Sequence, residues 1–137
     1  MLEYTKPLPT VSGETKTFWD ACRRGELLIQ KCDACNQFQW YPRGICANCW
    51  TGDIRWVVAS GKGTIWTFTV THQNRTAGFV DDVPYVVALV ELEEGVRMFC
   101  NIVECNHAEV TIGMPVEVTF TRATNEISIP FFKPVKA

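Results

Sequence analysis

The stretch that decides the fold is Cys32-Asp33-Ala34-Cys35, followed after ten residues by Cys46-Ala47-Asn48-Cys49. Each pair presents two thiolates from one tight turn. Two such turns, brought together by a hairpin, complete a tetrahedral sulfur site, which Zn2+ accepts without geometric preference. Four protein thiolates leave no position for water or substrate, so one structural zinc is expected, supplying folding energy and no chemistry. Iron is the rival occupant, and spacing does not separate the two. A pair of redox motifs is disfavoured, because neither CxxC sits between a strand and a helix.

Outward from the cysteines, Leu27–Lys31, Phe38–Tyr41 and Ile54–Val58 read as short strands that alternate with the two knuckles. This ribbon, set at residues 30–59, is too small for a core of its own. Below ~40 residues a fold as a rule needs disulfides, metal or a partner. The seven cysteines are an odd number, and the opening MLEYTKPLP has neither a basic leader nor an apolar signal core. A disulfide framework is therefore disfavoured and a cytoplasmic location expected.

Residues 1–29 read as an arm and a helix. Met1–Pro9, with two prolines, is expected to be extended. Ser12 can cap a helix in which Thr15, Phe18, Trp19 and Cys22 share one face; Arg23 and Arg24 suit the negative end of its dipole, and Gly25 can close it in the left-handed conformation. Such a short helix must bury its stripe, on the rest of the chain or on a partner.

Residues 60–137 read as β throughout. In Thr64–His72, Trp66, Phe68 and Val70 alternate with threonines, which predicts one buried face, with His72 continuing the buried phase as a core-edge residue. Tyr85–Leu92 is apolar on both phases and is expected to be a central strand covered on both sides. Val96–Val103, Val116–Arg122 and Ile127–Phe132 complete five strands, with a long loop at Gln73–Pro84 and a late connection at Cys105–Pro115. Five strands suit a small Greek-key barrel of the OB type better than a sandwich. The fold expected is mainly β: an N-terminal helix, a rubredoxin-like zinc ribbon and a five-stranded OB-fold barrel.

With 137 residues, 47% of them hydrophobic, one domain, or a domain and a satellite, is expected and a multi-domain enzyme is not. No apolar run approaches the ~18 residues of a membrane helix. Net charge is −2 overall, but residues 1–62 sum to +2 and residues 63–137 to −4. A zinc ribbon and an OB barrel also suit single-stranded nucleic acid, with Trp56, Trp66, Phe68, Phe131 and Phe132 as stacking faces; the acidic barrel half argues against that alternative. Gly61-Lys62-Gly63-Thr64 lacks both the upstream glycine and the following helix of a phosphate loop, and its glycines suit a bend into the barrel. Cys22 and Cys100 are expected to pack inertly, and His107, two residues from the loop residue Cys105, reads as a surface residue with no case for a dyad. No catalytic residue is assigned.

The order of parts resembles one family. The landmarks are Phe18-Trp19, Gly25-Glu26-Leu27, the four-cysteine ribbon with Tyr41-Pro42-Arg43 between its knuckles, Ser60-Gly61-Lys62-Gly63-Thr64, Pro84-Tyr85-Val86 and Gly113-Met114-Pro115-Val116. From about Lys16 to Pro134 the chain is similar to the zinc-ribbon OB-fold proteins long catalogued as a domain of unknown function, many of which are accessory subunits of thiolase-type enzymes. The resemblance implies a non-catalytic partner of a thiolase-fold subunit in a hetero-oligomer, helping to form the site of a coenzyme A thioester. On that footing the basic helix and ribbon half is expected to face the CoA phosphates, with Arg23, Arg24, Lys31 and Arg43 as candidates. Arg75, Phe79 and Tyr85 are expected along the acyl arm.

Overall fold

The computed structural model describes residues 4–135, so Met1–Glu3 of the expected arm, and residues 136–137, lie outside the described residues. Tyr4–Pro9 has neither helix nor strand. The Lys6 ammonium pairs with Asp82 Oδ2 at 3.2 Å, and the backbone of Thr5 and Lys6 passes so close to Gly78, at φ +89°, that a Cβ there would overlap it. The arm thus lies against the loop that precedes the second barrel strand.

Helix α1 spans Lys16–Arg23 and buries Phe18, Ala21 and Cys22. Its N-cap is Thr15, a correction to the expected Ser12. Ser12 and Thr15 bond each other instead: the Ser12 N–H donates to Thr15 Oγ1 at 3.0 Å and the Thr15 N–H to Ser12 Oγ at 3.2 Å. That closed turn uses both hydroxyls before the helix begins. The other end is as expected. Gly25, at φ +82°, donates to the Cys22 carbonyl at 3.0 Å and Glu26 to the Ala21 carbonyl at 2.9 Å, the paired bonds of a Schellman stop.

The ribbon sheet has the order β2-β1-β3, with β1 Leu28–Cys32, β2 Phe38–Gln39 and β3 Ile54–Val58. Central β1 pairs with β3 from Leu28↔Val58 to Cys32↔Ile54. β2 is shorter than the expected Phe38–Tyr41, because the chain leaves the ladder at Trp40 toward Pro42, which has no N–H to give.

Strands β4 (Lys62–Thr71), β5 (Tyr85–Leu92), β6 (Arg97–Ile102), β7 (Pro115–Arg122) and β8 (Ser128–Pro134) close into a barrel of order β4-β5-β6-β8-β7. Lys62↔Glu117 to Thr64↔Pro115 joins first and fourth strands, and Ile102↔Phe132 joins third and fifth in parallel. This is the expected five-stranded OB arrangement. A 3-10 turn, His107–Glu109, lies in the late connection. Gly63 sits where the β5 backbone passes at Glu91, leaving no space for a Cβ.

Two strand readings need correction. A register shift between Ile65 and Thr67 resets the alternation of β4, so Ile65 is buried, Trp66 turns outward to 46% exposure, and Phe68 and Val70 point inward again. Arg97 then stacks on the exposed indole at 4.0 Å. In β5, Val86, Ala88, Val90 and Leu92 are buried, but the opposite phase, with Tyr85, Val87 and Leu89, is only half covered. His72, beyond the end of β4, is exposed and not core-edge.

Phe18 and Cys22 of α1 and Leu27 and Ile29 at the ribbon base join Ile65, Val90, Val116 and Phe132 of the barrel in one core. At about 1.5–3 kcal/mol for each large apolar side chain buried, this shared core fixes the ribbon base and helix to the barrel.

Candidate functional site

The sulfurs of Cys32, Cys35, Cys46 and Cys49 lie within 4.8 Å of one another. Cys32 and Cys49 are 3.5 Å apart and Cys35 and Cys46 3.6 Å. A tetrahedron with metal–sulfur bonds of ~2.3 Å has edges of about 3.8 Å, so the donor set fits a zinc-sized ion. The two knuckles repeat one backbone design. Cys32 and Cys46 accept at their carbonyls from Asn36 and Trp50, at 2.8 and 3.0 Å, and donate to the carbonyls of Gln37 and Thr51, at 2.9 and 2.8 Å. The residue after each second cysteine has positive φ: Asn36 at 62°, which asparagine tolerates, and Trp50 at 69°, which a bulky side chain does not favour.

Hydrogen bonds to sulfur tune Cys32, Cys35 and Cys46 unequally. The Thr51 hydroxyl, 3.4 Å from Cys32 Sγ, leads in bringing Cys32 down to about 6, with the Cys35 and Ala34 N–H groups adding to it against burial. The Cys49 N–H leads in lowering Cys46, against burial, with the Asn48 N–H adding. Cys35 is pushed up: the Asn48 side-chain bond at 3.5 Å is outweighed by burial and by the adjacent Cys46 and Cys49 sulfurs. Four clustered sulfurs therefore need a cation to hold them all as thiolates.

Sequence reasoning missed the residues that aim the second knuckle. Gln30 and Gln39 face each other across β1 and β2, both buried, with Gln39 Nε2 donating to Gln30 Oε1 at 2.6 Å. Gln39 Oε1 accepts from the Ala47 N–H at 2.8 Å, and Gln30 bonds both the N–H and the carbonyl of Arg43, at 2.9 and 3.0 Å. Residues 43–47 are thereby tied to the sheet. The available signal was a glutamine directly after the apolar run Leu27–Ile29, and its cross-strand match.

The remaining thiols are held protonated. Burial pushes Cys22 and Cys100 up to about 12, and burial with the Glu109 carboxylate raises Cys105. The structure does bring His72 and His107 together, rings edge to face at 5.9 Å. That pairing was not legible in a separation of 35 residues.

Two adjoining apolar clefts run between α1, the ribbon and the outside of the barrel. One, of about 480 Å3, is bounded by the arm at Tyr4 and Lys6 and by Phe79, Tyr85 and Phe131. The other, of about 460 Å3, lies between β6 and β8 and is bounded by Phe18, Trp19 and Trp40. Both sizes suit a small-molecule or peptide subsite.

Two domain models match in tandem: the ChsH2 rubredoxin-like zinc ribbon domain over residues 19–55 and the ChsH2 C-terminal OB-fold domain over residues 56–121. A DUF35 domain-containing scaffold protein of Methanothermobacter thermautotrophicus is 39% identical over 119 residues, covering 82% of this chain and 89% of the relative. The chain belongs to the DUF35 family.

As in that family, the ribbon precedes the barrel. The solved DUF35 structure titled "Ltp2-ChsH2(DUF35) aldolase" is similar, with a TM-score of 0.83 at 34% identity over 93% of this chain and 98% of that one. A protein of Thermomonospora curvata named "Probable enoyl-CoA hydratase alpha subunit" is 34% identical over 129 residues, 94% of this chain. This DUF35 chain spans 40% of that subunit's length.

Of the residues singled out for CoA, Phe79 and Tyr85 line both clefts, with ring centroids 5.7 Å apart. The basic candidates do not line them. Arg23 is exposed at the end of α1, and Arg24 pairs with Glu26 at 3.0 Å. Lys31 lies 5.3 Å from the Phe38 ring centre. Arg43 is exposed and follows Pro42 of the cleft rim, and Arg75 is exposed on the loop before β5. Among the described residues, the cation that lines the clefts is Lys6, which the sequence did not single out.

Proposed function

We propose that this chain is a non-catalytic accessory subunit of a thiolase-type complex acting on an acyl-CoA by thiolysis, aldol cleavage or acyl transfer. The observation that carries the reading is the likeness, over nearly the whole chain, to the DUF35 subunit of an aldolase assembly. The protonated state of Cys22, Cys100 and Cys105 supports it, since a thiol nucleophile works as thiolate. The half-open outer phase of β5 supports it too: a strand apolar on both sides has one cover inside the barrel and calls for another.

In this reading the partner supplies nucleophile and base, and the acyl arm runs past Phe79 and Tyr85, with Arg75 at the mouth. Arg23, Arg24, Lys31 and Arg43 draw the CoA phosphates to the ribbon side, outside the clefts. The zinc holds the ribbon in shape, and the complex works in the cytoplasm.

Co-expression with a thiolase-fold protein of the same organism tests this. A co-eluting complex that turns over acyl-CoA, with neither subunit active alone, is expected. Turnover by the isolated chain that disappears in Cys105→Ala or His72→Ala overturns it. If neutral substitutions at all four basic positions leave KM for acyl-CoA unchanged in an intact complex, the partner holds the phosphates.

A further inference from the structure

Among the described residues, β6 meets β8 through Ile102↔Phe132 alone, with the Val103 N–H donating to the Phe132 carbonyl at 2.8 Å just beyond. One step back along both strands Cys100 would face Pro130. Continuing the parallel ladder there requires an N–H from residue 130 to the Phe99 carbonyl, and proline has none. The seam of the barrel opens at that point.

The β5 ladder fixes which groups of β6 are left over. The Leu92 N–H donates to the Val96 carbonyl at 2.8 Å, and the register holds through Val90↔Met98 and Ala88↔Cys100. Met98, Cys100 and Ile102 therefore bond β5, while Arg97 and Phe99 direct their N–H and carbonyl groups to the open side. That edge is one wall of the 460 Å3 cleft, opposite Ile129–Phe131 of β8, and among the described residues none that lines the cleft is charged. Phe99 is 63% exposed. An open edge is ordinarily guarded by charge, yet Arg97 is folded back, 4.0 Å over Trp66 and 3.1 Å from Glu91 Oε2.

We propose that an extended segment of the partner subunit enters this cleft and adds to β6 as a strand. Its backbone pairs with Phe99 and Arg97, and its apolar side chains, at alternate positions, seat against Phe18, Trp19 and Trp40. The leftover groups recur at the period of a strand, roughly 6.6–6.8 Å for two residues, which a peptide backbone matches. The uncharged lining selects a neutral, apolar segment over the phosphate end of a nucleotide. This docking mode rests on the accessory-subunit reading above.

Amide hydrogen exchange on the full chain, free and in complex with the thiolase-type subunit of the same organism, tests it. The Phe99 amide is expected to slow by about tenfold or more in the complex. Phe99→Pro removes that N–H without touching the β5 ladder, and is expected to weaken the complex about tenfold beyond Phe99→Ala, with zinc content intact. Should the proline variant fail to fold, the wild-type exchange decides. A complex in which Phe99 exchanges at the free rate overturns the docking mode and leaves the partnership standing. The same protection from CoA alone, without partner, assigns the cleft to the ligand and overturns it too. If no complex forms, partnership and docking mode fall together.

Discussion

Between Cys32 and Thr51 the ribbon buries two of its four clustered cysteines and one glutamine, whereas the barrel buries Ile65, Val86, Val90, Leu92, Met98, Val116 and Phe132 around one centre. The knuckles have almost no apolar burial to offset the entropy of ordering them. Their order comes from four sulfurs, the N–H groups aimed at those sulfurs and the Gln30–Gln39 pair. The barrel is ordered by area removed from water and by ladders that satisfy its backbone. One chain thus contains a region ordered around four clustered sulfurs and a region ordered around an apolar core, joined where Leu27 and Ile29 enter the common core.

The comparison breaks most sharply at a metal ligand. Cys32→Ser is expected to take zinc from one per chain to near none and to release residues 32–51, while amides at Val86–Val90 stay protected. Elemental analysis and hydrogen exchange read the two regions separately. Stoichiometric zinc in the variant, or collapse of both regions together, would erase the distinction.

Next in size is the converse change. Phe132→Ala, at a side chain with no exposure, is expected to cost about 3–5 kcal/mol in chemical denaturation while zinc stays bound.

A pH series sharpens the ribbon side. The Thr51 bond favours the Cys32 thiolate, so its stabilisation is present above the ordinary thiol range and is lost as pH falls through about 6. Thr51→Val removes that bond, and the pH midpoint of zinc release is expected to move upward. An unchanged midpoint would show that the metal alone sets it.

The smallest effect tests backbone strain. Trp50, 79% exposed at φ 69°, is held left-handed by the knuckle turn. Trp50→Gly is expected to stabilise the zinc-loaded ribbon by about 1 kcal/mol, seen as slower metal loss to a chelator. Faster loss would mean that the indole contributes packing that its exposure does not suggest.

The sequence determined the cluster of four cysteines, because four like residues at knuckle spacing have one common use whatever surrounds them. It also determined the helix stop at Gly25, set by bonds within a few residues, and the five strands, whose apolar periods are local. The rest depended on contacts between distant segments. The shift at Ile65 and Thr67 turned Trp66 outward, since strand period carries no mark of where a partner strand slips. Gln30 and Gln39 acquired their role by facing each other across two strands. Phe79 and Tyr85 were named only through the family resemblance, as residues along an acyl arm; their ring contact and the clefts they line needed the helix, the arm and β8 to converge. Pro130 blocks the seam only because β8 runs beside β6, a pairing of segments some 30 residues apart that tertiary packing alone decides.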